Sequence, residues 1–327
     1  MRLDIKLIQN ELYMDCYESA LASISSYYRN GFEMIFRNTW SFSYESNKAK
    51  DLLQIGEGIE SHKWELERML EQYYGIKVCT WRGLTRQQIF RKVMEELEAG
   101  YPVLVYFDQV HSPWASKMEK ENNRFSGFYM VTGFDHMEEQ IYCLDIYYSK
   151  RLETLGYINF MEGLIRGECI TFDLTGKAYG ALNCSVAIND LCERLDFNLA
   201  NSFSPMRKMA EDISRVTDSG SEYGGLEDLN GLPVISRISH VFRGRGLFSI
   251  ILEELGKNLE QEVILNYSKE LKAIAAQWYK IKALAFKAIC LNSVELVKKR
   301  IPAYINEVAA KEERLTVDLK SALSKRA

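Results

Sequence analysis

The sequence predicts an α+β protein in two parts: a mixed first half, residues 1–185, and a mostly helical second half, residues 186–327. Three observations carry this. Short runs rich in β-branched and aromatic residues cluster between positions 102 and 174. Before and between them lie stretches that start on capping residues and stop at glycine. From about residue 187 onward, apolar residues recur at helical rather than strand spacing.

Asp15-Cys16-Tyr17-Glu18 opens an apolar-periodic run through Leu21, Ile24 and Tyr28. Asp15 suits an N-cap, Glu18 completes a capping box, and Gly31 suits a stop. Further helices are expected over Lys63 to Tyr74 and Thr85 to Glu98, ending at Gly75 and Gly100. The runs Pro102 to Phe107, Phe128 to Phe134 and Gln140 to Tyr147 read as strands. The last two form a hairpin across His136-Met137-Glu138-Glu139, and Ile170 to Leu174 suits the same sheet. In the second half, helices are expected over Phe203 to Val216, Leu247 to Leu265, Ser268 to Asn292 and Val294 to Leu323. Leu271, Ile274, Trp278, Ile281 and Leu284 share one helical face. Thr217 to Gly225 is a Gly/Ser-rich loop.

Composition removes several classes. Hydrophobic residues at 47% and aromatics at 12% exclude a disordered chain. A net charge of −4 without an obvious basic tract argues against a general nucleic-acid binder. No apolar run reaches the ~18 residues of a spanning helix. The charged start, Met1-Arg2-Leu3-Asp4-Ile5-Lys6, lacks the apolar core of a signal peptide, so no membrane role is expected. The 7 cysteines (16, 79, 143, 169, 184, 192, 290) show no C-x-x-C spacing. Reduced thiols in a cytoplasmic protein are the natural reading. There is no P-loop and no strand-linked G-x-G-x-x-G, and adjacent Asp135-His136 on a turn does not converge on an ion. No cofactor or metal is expected.

The residue with most chemical promise is Cys16. At a helix N-terminus, unpaired N–H groups favour a thiolate nucleophile. Its own N–H and the Asn10 side chain are candidate donors to an oxyanion. A small buried cysteine at the start of a core helix gives the same local pattern. Two other stretches carry weaker signals. His111-Ser112-Pro113-Trp114 suits either a lid or an ordinary aromatic loop anchor. Arg243-Gly244-Arg245-Gly246 reads as a basic flexible loop, either merely solvated or suited to an acidic surface or a phosphate.

The ordered set Asp15-Cys16-Tyr17-Glu18-Ser19, Tyr74-Gly75-Ile76, Gly100 to Val105, Tyr129-Met130-Val131-Thr132-Gly133-Phe134-Asp135 and Ile141 to Asp145 resembles papain-like cysteine enzymes. More narrowly it resembles the papain-fold cysteine acyltransferases related to butirosin-biosynthesis protein H. The stretch around Ala275-Ala276-Gln277-Trp278 is similar to the helical domain that follows in that family. The resemblance implies a papain-like domain with an antiparallel sheet. It implies Cys16 as the nucleophile that takes an acyl group from a carrier-protein thioester and yields it to an amine. It implies Asp145 as the residue orienting a catalytic histidine.

The family histidine position, six residues before Gly133, holds Gly127. His136 stands roughly 30 Å further along a straight strand, too far to substitute. His111, in the loop Gln109 to Ser126, is the one candidate replacement; an exposed or structural loop histidine is its ordinary alternative. The expectation is therefore acyl transfer in natural-product assembly, with an acyl- or peptidyl-carrier protein and an amine acceptor as partners. A non-catalytic pseudoenzyme that binds a carrier protein or partner enzyme is the alternative. A thiol peptidase ranks below both, because amide cleavage needs a proton donor. The amphipathic second half suits either a homodimer or a cover over the first domain.

Overall fold

The computed structural model describes residues 1–46, 49–60, 64–114, 126–175, 183–219 and 231–325. The chain divides into two compact units, one of Met1–Ile35 with Leu66–Ala181, the other of Phe36–Glu65 with Leu182–Ala327. The contiguous division expected at 185/186 is thus corrected: residues 36–65 belong with the helices. The reason is apolar. Trp40 and Phe42 are buried, their rings packed 5.2 Å from Phe248 and 5.9 Å from Trp278 in the helical unit.

The first unit is α+β. Helix α1 (Cys16–Arg29) carries the expected capping box, with Asp15 accepting from the Tyr17 and Glu18 N–H groups and Glu18 reaching back to Asp15 N. It ends one residue before the expected glycine, because Asn30 takes the left-handed cap at φ 55°. Helix α2 (Leu66–Tyr74) stops at Gly75, φ 59°. Helix α3 (Arg86–Glu98) is capped by Thr85 and Gln88.

The sheet is antiparallel and six-stranded. Its strands are β1 (Ile76–Trp81), β2 (Val103–Asp108), β3 (Ser126–Asp135), β4 (Gln140–Asp145), β5 (Leu152–Gly156) and β6 (Leu164–Leu174). Their order is β1-β6-β2-β3-β4-β5, so β6 is inserted between β1 and β2. The β3–β4 hairpin is present, with Tyr129 opposite Asp145. Period-2 alternation gives the sheet two faces. Val105, Phe107, Tyr129, Val131 and Cys143 pack against Ile89, Val93 and Leu97 of α3 and Phe160 of the short helix α4 (Tyr157–Gly163). On the other face Phe128 meets Tyr17 of α1, ring centroids 5.4 Å apart.

Gly133 of the V-T-G-F-D stretch has a steric cause. Residues 1–3 run alongside β3, with Phe134 N donating to Met1 O and Leu3 N to Thr132 O. A Cβ at Gly133 would lie 2.4 Å from Met1 O.

The second unit holds a small β-ribbon, Ser43–Tyr44 with Ile59–Glu60, and a short helix Leu52–Glu57. Five longer helices follow: α5 (Cys184–Asn201), α6 (Phe203–Arg215), α7 (Pro233–Asn258), α8 (Glu262–Cys290) and α9 (Ile301–Ser324). A π-type turn, Leu296–Arg300, leads into α9. Helix α7 begins well before its expected start, and Arg243-Gly244-Arg245-Gly246 is helical, not a flexible basic loop. Gly244 touches the 36–42 segment, where a Cβ would fall 2.2 Å from Thr39 O. Arg245 is fully buried. It forms a bidentate pair with buried Glu312, Nε to Oε1 at 3.0 Å and Nη2 to Oε2 at 2.9 Å. Trp278 Nε1 and Trp40 Nε1 donate to the same carboxylate at 2.6 and 2.8 Å. The Gly/Ser-rich loop lies outside the described residues from 220 onward. Among the described residues no helix is long and apolar enough to cross a membrane.

Two stability outcomes follow. Gly133→Ala forces the residue 1–3 segment off β3, so the full chain should lose about 1–3 kcal/mol by denaturant titration; an unchanged midpoint refutes the contact. Glu312→Gln leaves the Arg245 charge buried without its carboxylate and should cost about 3–5 kcal/mol, with red-shifted tryptophan emission on unfolding at lower denaturant.

Candidate functional site

Cys16 is the first residue of α1, and its thiol is half-buried against β3. It opens into a cleft of about 370 Å³ lined by Asn10, Glu11, Asp15, Tyr147 and Lys150, among others. Asn10 and Cys16 are therefore brought together, as the oxyanion reading requires. The Asn10 side-chain carbonyl accepts from Leu12 N (3.2 Å) and Tyr13 N (3.3 Å), closing the turn before α1. With its oxygen held there, the Nδ2 group makes no hydrogen bond among the described residues. Lys150 is paired with Glu11 on the cleft wall.

The thiol is not activated as its helix position predicts. Burial raises its pKa above the ordinary cysteine value. The backbone N–H groups of Phe128 and Cys16 favour the thiolate, but the Asp15 and Glu18 carboxylates oppose it. Burial is the main cause, and the capping box adds to it. Two carboxylates already occupy the positive end of α1, so the helix terminus has little left to offer a third anion.

Asp145 ends β4 and is fully buried. Its Oδ1 accepts from Tyr147 N (2.9 Å) and Tyr148 N (3.0 Å). Its Oδ2 accepts from Trp114 Nε1 (2.7 Å) and Ser149 N (3.1 Å). A carboxylate offers about four acceptor sites, and four donors meet this one. Trp114 is held from the other side as well, its ring 6.0 Å from that of Tyr129, which stacks on Phe107 at 4.6 Å. Ser112 Oγ and Tyr129 Oη are 2.7 Å apart. The His111–Trp114 stretch is thus an anchor on the sheet as far as Trp114; residues 115–125 lie outside the described residues.

His111 is elsewhere. It sits in a 3₁₀ turn after β2, Nδ1 3.7 Å from Glu162 Oε2 on α4, and is not among the residues lining the cleft. Gly127, opposite Phe107 on β2, carries no side chain. His136 bonds Tyr157 Oη at 3.0 Å, at the far end of β3. So Cys16 and Asn10 share a cleft, Asp145 supports the turn that forms its wall, and His111 is not among its lining residues. Trp114, Glu11 and Lys150 complete the picture. The sequence marked Trp114 as a loop anchor but not its partner, and nothing local marked Glu11 or Lys150, because these pairings span more than 30 residues.

A scan against protein-family models and a search of curated proteins return no match for this chain.

The alkylation rate of Cys16 with iodoacetamide, followed by peptide-resolved mass spectrometry, should rise only above the pH range of an ordinary cysteine. Asp15→Asn should move that profile to lower pH by removing one opposing charge; a wild-type thiol already reactive near neutrality contradicts the assignment.

Proposed function

We propose that the first unit is a papain-like relative of the cysteine acyltransferases that has kept the cleft and lost the base, acting as a binding protein. Its ligand would be the thioester arm of an acyl- or peptidyl-carrier protein, or a partner enzyme of the same assembly route. The element order supports the papain-like reading: a cysteine opens the N-terminal helix, and the adjacent strands β3 and β4 carry Gly127 and Asp145 at the positions the resemblance assigns to histidine and its orienter.

The observation that carries the proposal is the satisfied Asp145 carboxylate. In a histidine-dependent site this group accepts from the imidazole, fixing its tautomer. Here the Trp114 indole N–H and three backbone amides take all of its capacity. A general base has no place in that network, and removing the base from a nucleophile–base pair costs orders of magnitude in rate.

One observation favours the second reading, acyl transfer through Cys16. Asn10 lines the same cleft as Cys16, the Phe128 N–H bonds the sulfur, and a thioester is already an activated acyl donor. The two readings separate by intact-protein mass spectrometry after incubation with acyl-pantetheine thioesters. The binding reading expects no adduct on wild type. It expects one on the double variant Gly127→His/Trp114→Phe, which supplies a ring and frees one Asp145 acceptor site. A wild-type adduct that vanishes in Cys16→Ala establishes acyl transfer instead. No adduct on either protein removes the papain-like reading of the site.

A further inference from the structure

Helix α8 presents a second face that the packing of its own unit leaves uncovered. Leu271, Trp278, Ile281, Ala285 and Ile289 are buried. Ala276, Tyr279, Ala283, Phe286 and Cys290 are exposed, Tyr279 at 52% and Phe286 at 37%. Their spacing is 3, 4, 3, 4, the a/d repeat of a coiled-coil seam. Small and aromatic residues alternate along it, giving a holes-and-knobs surface. Tyr279 is fixed in place by Phe242, ring centroids 5.5 Å apart at 86°.

The charges beside this seam are of one sign. From Leu271 to Cys290 the helix contains Lys272, Lys280, Lys282 and Lys287 and no acidic residue, in a chain with more Asp and Glu than Lys and Arg. Lys272 is paired with Glu253. Lys280, Lys282 and Lys287 have no carboxylate partner among the described residues. In the same unit Lys208, Lys257, Lys299, Lys311 and Lys320 have one, while Lys50, Lys269 and Lys298 have none among the described residues. Lys280 and Lys287 fall at e positions of the seam and Lys282 at a g position, the positions that set partner choice.

We propose that this face of α8 docks an amphipathic helix of another protein whose flanking positions carry Glu or Asp. A second copy of this chain does not fit, because either a parallel or an antiparallel pairing sets lysine against lysine across the seam. An anionic membrane fits less well, since Ala276 and Ala283 bury little in lipid but leave room for the side chains of a close helix. The seam from Ala276 to Cys290 is about 21 Å long, which calls for about four turns of partner helix. The inference is independent of the reading of the Cys16 cleft.

The test uses the full chain and synthetic helical peptides of about three heptads, with leucine at the seam and either Glu or Lys at e and g. Fluorescence anisotropy should show the acidic peptide binding at least about tenfold more tightly than the basic one, with the difference shrinking as salt rises. Lys280→Glu/Lys287→Glu should invert that preference, and Phe286→Ser should weaken both, with far-UV circular dichroism unchanged because all three residues are exposed. Equal binding of the two peptides, or of neither, overturns the proposal. So does binding to phosphatidylglycerol vesicles that the acidic peptide fails to displace, or a dimer in light scattering that the peptide fails to dissociate.

Discussion

A buried carboxylate must be met by donors, and the first unit is organised around meeting one. Asp145 has no access to water, so every acceptor site left open would carry a desolvation cost. Three of its donors are consecutive backbone amides, which fold residues 147–149 into a turn and set Tyr147 and Lys150 along the Cys16 cleft. The fourth is the indole of Trp114, which draws the segment after β2 back onto the sheet. The position of the cleft wall and the course of that segment are therefore consequences of one electrostatic requirement. The Trp114 indole is the one side-chain donor to Asp145 among the described residues.

The helical unit solves the same problem with opposite charges. Glu312 is buried and accepts from Arg245, Trp40 and Trp278. A buried ion pair is weak evidence for net stability, but breaking one is costly. Its value here is in what it joins. Trp40 comes from a segment more than 200 residues away in sequence from α9, and the pair holds that segment among the helices. The Trp40 carbonyl is in turn met by Arg194 and by Asn198, on α5. Polar closure, as much as apolar packing, decides that residues 36–65 leave the α+β unit.

Local chemistry made the first three helices and the β3–β4 hairpin legible: capping boxes at Asp15 and Thr85, stops at Gly75 and Gly100, strand propensity on either side of a charged turn. These signals act within a few residues and survive any tertiary context. The elements missed were of another kind. β5 begins on exposed Leu152 and is held by pairing with β4, and β1 by pairing with β6 across some 90 residues. Arg243 to Gly246 misled because glycine flanking arginine is the pattern of a loop. In the folded chain one glycine admits a neighbouring carbonyl and one arginine neutralises a buried glutamate. In the site, Cys16 and Asn10 were legible because both belong to one local turn-helix junction. The partner of Asp145 was not, since Trp114 reaches it only through the registry of three strands.

The helix terminus at Cys16 shows how a favourable local feature is offset, first by burial and then by its own acidic neighbours. An N-terminal cysteine gains from the helix dipole only where the terminus is otherwise unneutralised. The residues that make α1 start cleanly at Cys16 are Asp15 and Glu18, and both are anions within one turn of the sulfur. Capping takes the Tyr17 and Glu18 N–H groups, and the thiol is left with those of Cys16 and Phe128. A catalytic cysteine in this position needs an external cation, ordinarily a histidinium, to offset the two carboxylates. The only lysine on the cleft wall among the described residues, Lys150, is already paired with Glu11. Strong capping, a buried thiol with a raised pKa and a saturated Asp145 are thus one consistent arrangement.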